Sequence, residues 1–218
     1  MPATSTSILA RRTKRPLKDD ARNVSKDVFK PAQLGALIDA APSEDWKGVI
    51  LCGYYTGLRL RDIADMEWSA VNLGKQIITV TTRKTRKDVT MPIHPRFAAW
   101  LGKQTRGIGK APVFPTLAGK AGSGKSGLSM AFKRIMDRAG IKGRLLREAN
   151  GAGRSQSSLS FYSLRHSFNA ALANAGVGVE LRQELTGHSS PQMNKNYTHP
   201  DIERMREAVS RLPDVTNG

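Results

Sequence analysis

Four short strings in this chain carry side chains able to act on a phosphate ester. They are Thr56-Gly57-Leu58-Arg59-Leu60-Arg61-Asp62, Arg83-Lys84-Thr85-Arg86-Lys87, Tyr162-Ser163-Leu164-Arg165-His166, and Leu185-Thr186-Gly187-His188-Ser189-Ser190 running on to Asn196-Tyr197-Thr198-His199. Guanidinium groups supply always-charged, two-pronged donors for phosphate oxygens. Imidazole and ammonium groups can hand over protons, and a phenol can serve as a nucleophile. Taken singly, each string has an ordinary explanation. An arginine after a helix-ending glycine is usually on the surface, a lysine in a hairpin turn is usually solvated, and a tyrosine near a helix end usually packs.

Other chemistries are less well supplied. Gly119-Lys120-Ala121-Gly122-Ser123-Gly124-Lys125-Ser126 satisfies the phosphate-cradling string G-x-x-x-x-G-K-[ST]. A nucleotide loop of that kind should follow a buried strand early in a doubly wound sheet, with an aspartate elsewhere for Mg²⁺. Upstream lies only Val113-Phe114-Pro115, so a flexible cationic loop is expected here, and no bound nucleotide. Asp62 and Asp65 are one helical turn apart, but no further acidic cluster completes a cation site. His94, His166, His188 and His199 lack zinc spacing. Neither a metal nor any other cofactor is expected.

The elements that must position these strings follow from periodicity and punctuation. Residues 1–26 are Ser/Thr-rich and then basic, without helical period, which reads as a flexible arm or linker. Apolar spacing predicts helices over 31–41 and from Trp46 to a stop at Gly57, with a short one over 60–66. Alternation at Ile78, Val80 and Thr82, then Val89, Met91 and Ile93, predicts a β-hairpin with a cationic tip at 83–87. Further helices are expected after Pro95 to Leu101, over 126–139, 163–175, 179–185 and 190–197, and over 201–212. Residues 148–160 read as a mobile Gly/Ser-rich loop. The sum is α+β, mainly α-helical with a small antiparallel β-sheet.

With 218 residues, the chain suits one sizeable domain, or one with a smaller piece. Lys plus Arg number 35 against 18 Asp plus Glu, a net charge of +17. Between Arg83 and Arg147 there are 16 basic residues and only two acidic ones, Asp88 and Asp137. A field of one sign on that scale points to a polyanion, nucleic acid, held with strong salt dependence. Cys52, the single cysteine, excludes a disulfide framework. No apolar run approaches the ~18 residues of a membrane span, and the first residues lack a secretory core. A soluble, cytoplasmic, nucleoid-associated protein is expected.

Taken jointly, the strings resemble the catalytic domain of the tyrosine recombinase (phage integrase) family, from about Lys26 to Leu212. The order is the family's: Gly-x-Arg with an acidic residue three on, a basic hairpin, a Leu-Arg-His helix, Gly-His, then a tyrosine. The separations also fit, 23 residues from Arg165 to His188 and nine from His188 to Tyr197. The resemblance implies that Arg59 and Arg165 clamp the non-bridging oxygens of a scissile phosphate. Tyr197 attacks the phosphorus to give a 3′-phosphotyrosyl link, and Lys84, eight residues before Pro92, protonates the leaving 5′-oxygen, with Lys87 as runner-up. His188 donates to the same phosphate, Asp62 orients partners, and His166 supports the site. Arg83, Arg86 and Lys87 hold DNA backbone.

Two departures accompany the match. The family usually has His where Tyr162 stands, and a phenol is a poorer base than imidazole at neutral pH. Family members also carry an N-terminal helical DNA-binding domain, which is absent from this chain if residues 27–218 are the catalytic domain. The expected function is site-specific recombination of duplex DNA without metal or ATP, in a homotetramer exchanging C-terminal segments. Ile202, Met205, Val209 and Leu212 would give the last helix an apolar face for such docking or for its own core. The alternatives are a DNA-binding module with little turnover, or type IB topoisomerase-like strand cleavage.

Overall fold

The computed structural model describes residues 26–83, 86, 88–120, 122, 124, 127–148, 155–186 and 202–215. Its centre is helix α2 (Glu44–Thr56), begun by Ser43, whose Oγ accepts the Trp46 N–H at 3.3 Å. From Val49 to Thr56 every residue of α2 is buried, the mark of a helix packed on all sides. Around it lie α1 (Pro31–Asp39), α3 (Leu60–Ala64), α4 (Pro95–Gly102) and α6 (Tyr162–Asn174). At Gly53 a Cβ would stand 2.7 Å from the Phe161 ring, so glycine is what lets the start of α6 come so close.

A three-stranded antiparallel sheet, β1 (Val71–Asn72), β2 (Ile77–Thr81) and β3 (Asp88–Pro92), flanks the helices. Ile78 pairs with Met91 and turns inward, whereas Thr79 and Thr90 face outward with hydroxyls 3.0 Å apart. The hairpin expected from alternation is present, with Ile78, Val80 and Met91 buried. A second, two-stranded sheet joins β4 (Leu145–Arg147) to β5 (Gln156–Ser157). Helices α5 (Leu128–Arg138), α7 (Val179–Thr186) and α8 (Ile202–Ser210) complete the described fold.

Both ends of the described chain are fastened. The Asp27 N–H donates to the Ser158 carbonyl at 3.2 Å, and the Phe29 N–H to Ser167 Oγ at 2.8 Å. At the other end α8 packs on β3 of its own chain, burying Met205, Ala208 and Val209. Beyond α8, Leu212 and Val215 are also buried. The Tyr55 hydroxyl donates to the Pro213 carbonyl at 3.3 Å, and Arg96 pairs with Asp214. His94 lies beneath this segment, stacked on Tyr55 with ring centres 3.9 Å apart and hydrogen-bonded to the Leu212 backbone. The apolar face foreseen on the last helix is thus covered within the chain.

Three expectations about elements change. The hairpin sheet has a third strand, β1, and a second sheet exists; strands of two or three residues are too short to show a period. The segment read as a mobile loop contributes strand β5, while residues 149–154 within it lie outside the described residues. Helix α5 begins at Leu128 rather than at Ser126. The helix expected over 190–197 lies outside the described residues. Among the described residues no helix is long and apolar enough to cross a membrane.

Candidate active site

Arg59 owes its place to the turn before it. Helix α2 stops at Gly57, which is left-handed (φ 64°) and returns its N–H to the Gly53 carbonyl. A Cβ there would also meet the Phe168 ring at 2.8 Å, so the position excludes a side chain twice over. Leu58 anchors the turn in the core, and Arg59 follows in extended backbone as the cap of α3. Among the described residues the Arg59 guanidinium has no hydrogen-bonding or ion-pair partner.

Arg165 comes from α6 and is 7% exposed. Its Nη1 donates to the Gly57 carbonyl at 2.7 Å and its Nη2 to the Thr186 carbonyl at the end of α7. Burial lowers its pKa, and the neighbouring charge of Arg59 lowers it further, while Tyr162 and Asp62 act the other way. Two guanidinium groups distant in sequence are therefore brought together. They share a small pocket with Thr82 and Thr186, floored by Leu58 and Leu185. Such a pocket favours an anion whose two faces accept from both arginines.

Two carboxylates, Asp62 within α3 and Asp65 just after it, hold the residue that ends the first hairpin arm. Asp62 is buried; its Oδ1 accepts the Arg83 N–H at 3.1 Å, and its Oδ2 has no partner among the described residues. Asp65 accepts from Arg61 Nε and Arg83 Nη1, both at 2.6 Å, and from the Gly119 N–H at 3.0 Å. Burial alone would raise the Asp65 carboxyl, but these donors hold it below the ordinary carboxylate range. Arg83, expected to hold DNA, already has its guanidinium on Asp65. Arg86 is exposed, with left-handed backbone at the tip (φ 54°).

Tyr162 opens α6, exposed, with its ring edge-on to His166 at 4.8 Å. It is near enough to influence Arg165 electrostatically. His166 is half-buried, and its Nε2 has no hydrogen-bond partner among the described residues. Burial, then the charges of Arg165 and Lys26, lower its pKa and favour neutral imidazole. Of the expected set, Arg59, Asp62 and Tyr162 lie close enough to Arg165 to act on its charge, Arg83 is bound to Asp62 through its backbone N–H, and His166 packs against Tyr162. Lys84, Lys87, His188 and Tyr197 lie outside the described residues. Sequence reasoning missed Asp65 and the pocket threonines Thr82 and Thr186. Thr186 is adjacent to the Gly-His string, but nothing in the spacing marks Asp65 as a partner of Arg83. Among the described residues no group of three or more His, Cys, Asp or Glu is placed to hold a metal.

Residues 27–204 match the phage integrase family. The chain belongs to that family. Among curated relatives of this integrase-family chain, tyrosine recombinase XerA of Pyrococcus furiosus is 25% identical over 187 residues, covering 83% of this chain and 60% of the relative. Tyrosine recombinase XerD of Vibrio vulnificus is 28% identical over 198 residues, covering 87% and 61%. The chain thus spans about three fifths of the length of these relatives. Solved structures share its α+β, mainly helical fold. The integrase from mycobacterium phage Brujita superposes with a TM-score of 0.59 at 24% identity, over 86% of this chain and 59% of that one. The catalytic domain of bacteriophage HP1 integrase gives 0.53 at 18%, over 87% and 90%.

Proposed function

We propose that this integrase-family chain is a site-specific DNA recombinase that cuts and rejoins duplex DNA through a phosphotyrosyl intermediate. The observation that carries the reading is the Arg59–Arg165 pair. Bringing two like charges together in a partly buried pocket is costly unless an anion joins them. A pentacoordinate phosphate in transit carries its negative charge on non-bridging oxygens, which is what two fixed guanidinium forks stabilise.

In the proposed reaction the Tyr197 oxygen forms a bond to phosphorus and the bond from phosphorus to the 5′-oxygen breaks. Lys84, next to Arg83 in the chain, gives the 5′-oxygen its proton. His188, two residues after Thr186, donates to the same phosphate. Tyr162 faces the same phosphate, and neutral His166 braces it from within α6. The covalent link retains the energy of the phosphodiester, so religation to another strand needs no ATP and the cycle no metal. Residues 27–218 act as the catalytic domain, with 1–26 as a basic arm and Arg86 and Lys87 on DNA backbone. Copies assemble as a homotetramer on DNA, in the cytoplasm, exchanging C-terminal segments.

The test uses a pool of duplexes with randomised core sequence, each nicked just 3′ of the interrogated phosphate so that the short 5′-hydroxyl strand is lost on cleavage. Incubated without metal or nucleotide, the protein should form an adduct that survives denaturant, and Tyr197→Phe should form none. Adducts undiminished in Tyr197→Phe, or wholly absent from the parent protein, would overturn the reading.

A further inference from the structure

Asp65 stands at the end of α3, where no role in the proposed chemistry falls to it, yet it gathers donors from three separate stretches of chain. Arg61 reaches it from α3, Arg83 from the end of β2, and the Gly119 N–H from a loop. Arg61 then continues to the Lys120 carbonyl, so the loop is gripped at two successive residues. One turn earlier, Asp62 takes the Arg83 backbone N–H. The residue at the mouth of the β2–β3 turn is therefore held by backbone and side chain at once. Both holds come from the short helix that Arg59 caps.

A solvent-exposed ion pair would contribute little to stability. The Asp65 side chain, however, is only 24% exposed, and it combines two guanidinium groups with one backbone donor. Its effect is geometric: three donors converging from different directions leave the carboxylate one orientation, and with it the stance of Arg83. We propose that Asp65 is a positioning residue that fixes where Arg83, the last residue before the turn's cationic run, stands relative to the Arg59–Arg165 pair, and that the proton transfer assigned to the next residue in the chain depends on this hold. The proposal deepens the reading above and rests on its assignment of Lys84 as the proton donor.

The chemistry offers a readout that a purely structural role would not move. An alkoxide leaving from phosphorus needs a proton, so a misaimed acid slows the bond-breaking step. If the 5′-bridging oxygen is replaced by sulfur, the leaving thiolate belongs to a thiol of pKa about 8.5 and departs without one. The probe is a nicked duplex of the sequence recovered from the adduct-forming pool, made with oxygen or with sulfur at that position. Single-turnover adduct formation is measured at saturating DNA.

Asp65→Asn should form adduct roughly 10- to 100-fold more slowly on the oxygen duplex, the scale on which a group displaced by about 1 Å loses its effect. On the sulfur duplex it should return close to the parent rate, and Arg83→Gln should behave in the same way. An equal loss on both duplexes, or no loss on either, would overturn the proposal. Lys84→Ala separates the two layers. If sulfur rescues it but not Asp65→Asn, the reaction reading stands and the role of Asp65 falls. If sulfur fails to rescue Lys84→Ala, the donor assignment falls and the proposal falls with it. Should Asp65→Asn fail to fold, Arg83→Gln, whose side chain is 62% exposed, decides alone.

Discussion

Arg165 turns two of its five donors to the carbonyls of Gly57 and Thr186, which fix the guanidinium, while its charge confronts that of Arg59. Lysine at this position keeps the charge but loses the fork. Arg165→Lys is expected to lower adduct formation by roughly 10²- to 10³-fold, the scale for losing one preorganised donor. Its stability should fall by only about 1–3 kcal/mol, the cost of a buried carbonyl left without its donor. Comparing adduct yield with denaturant unfolding of the same preparation checks both. Gly57→Ala should harm the protein by another route. The left-handed backbone costs an L-residue about 1–2 kcal/mol, and the new methyl would press on Phe168, 2.8 Å away. Unfolding midpoints should therefore fall for Gly57→Ala even though its side chain adds no charge and removes none.

Among the elements, α4 carries the most readable pH response. His94 caps it, its Nδ1 accepting the Arg96 N–H at 3.2 Å, and supports the chain after α8. Burial depresses its pKa from 6.5 to about 4, against a smaller upward pull from its Leu212 bond. The unfolded chain thus takes up the proton first as pH falls. Stability from this group is full above about pH 6.5 and is lost on acidification towards pH 4, by on the order of 3 kcal/mol. Melting temperatures across that range should show the slope in the parent protein, and His94→Gln should flatten it. The sequence made α1, α2 and α6 legible because Pro31, Gly57 and Gly176 punctuate long apolar periods. It gave no sign of β1, β4 or β5, whose two or three residues carry no period at all. The same contrast holds within the site. Arg59 and Arg165 stood out by motif, whereas the pairing of Arg83 with Asp65, 18 residues away, depends on how the hairpin folds back over α3.

For the whole molecule, the net charge of +17 is the dominant quantity, and 16 of its basic residues lie between Arg83 and Arg147. Several of these are committed internally: Arg83 to Asp65, Arg96 to Asp214, Lys133 to Asp137 and Arg144 to Asp27. Enough remain that, on the proposed reading, affinity for DNA is governed by counterion release. Binding to a duplex of arbitrary sequence should weaken roughly 10³-fold or more between about 50 and 200 mM salt. Fluorescence anisotropy across that range checks this, and a flat response would mean that phosphate contacts are few.

Helix α8 lies with Met205, Ala208 and Val209 sealed against its own sheet. Copies that trade this helix, as the proposed assembly requires, must first peel it away and wet that apolar surface. The slow event is then unimolecular. The rate of partner formation should level off as protein concentration rises, and should climb steeply with temperature as an unfolding step does.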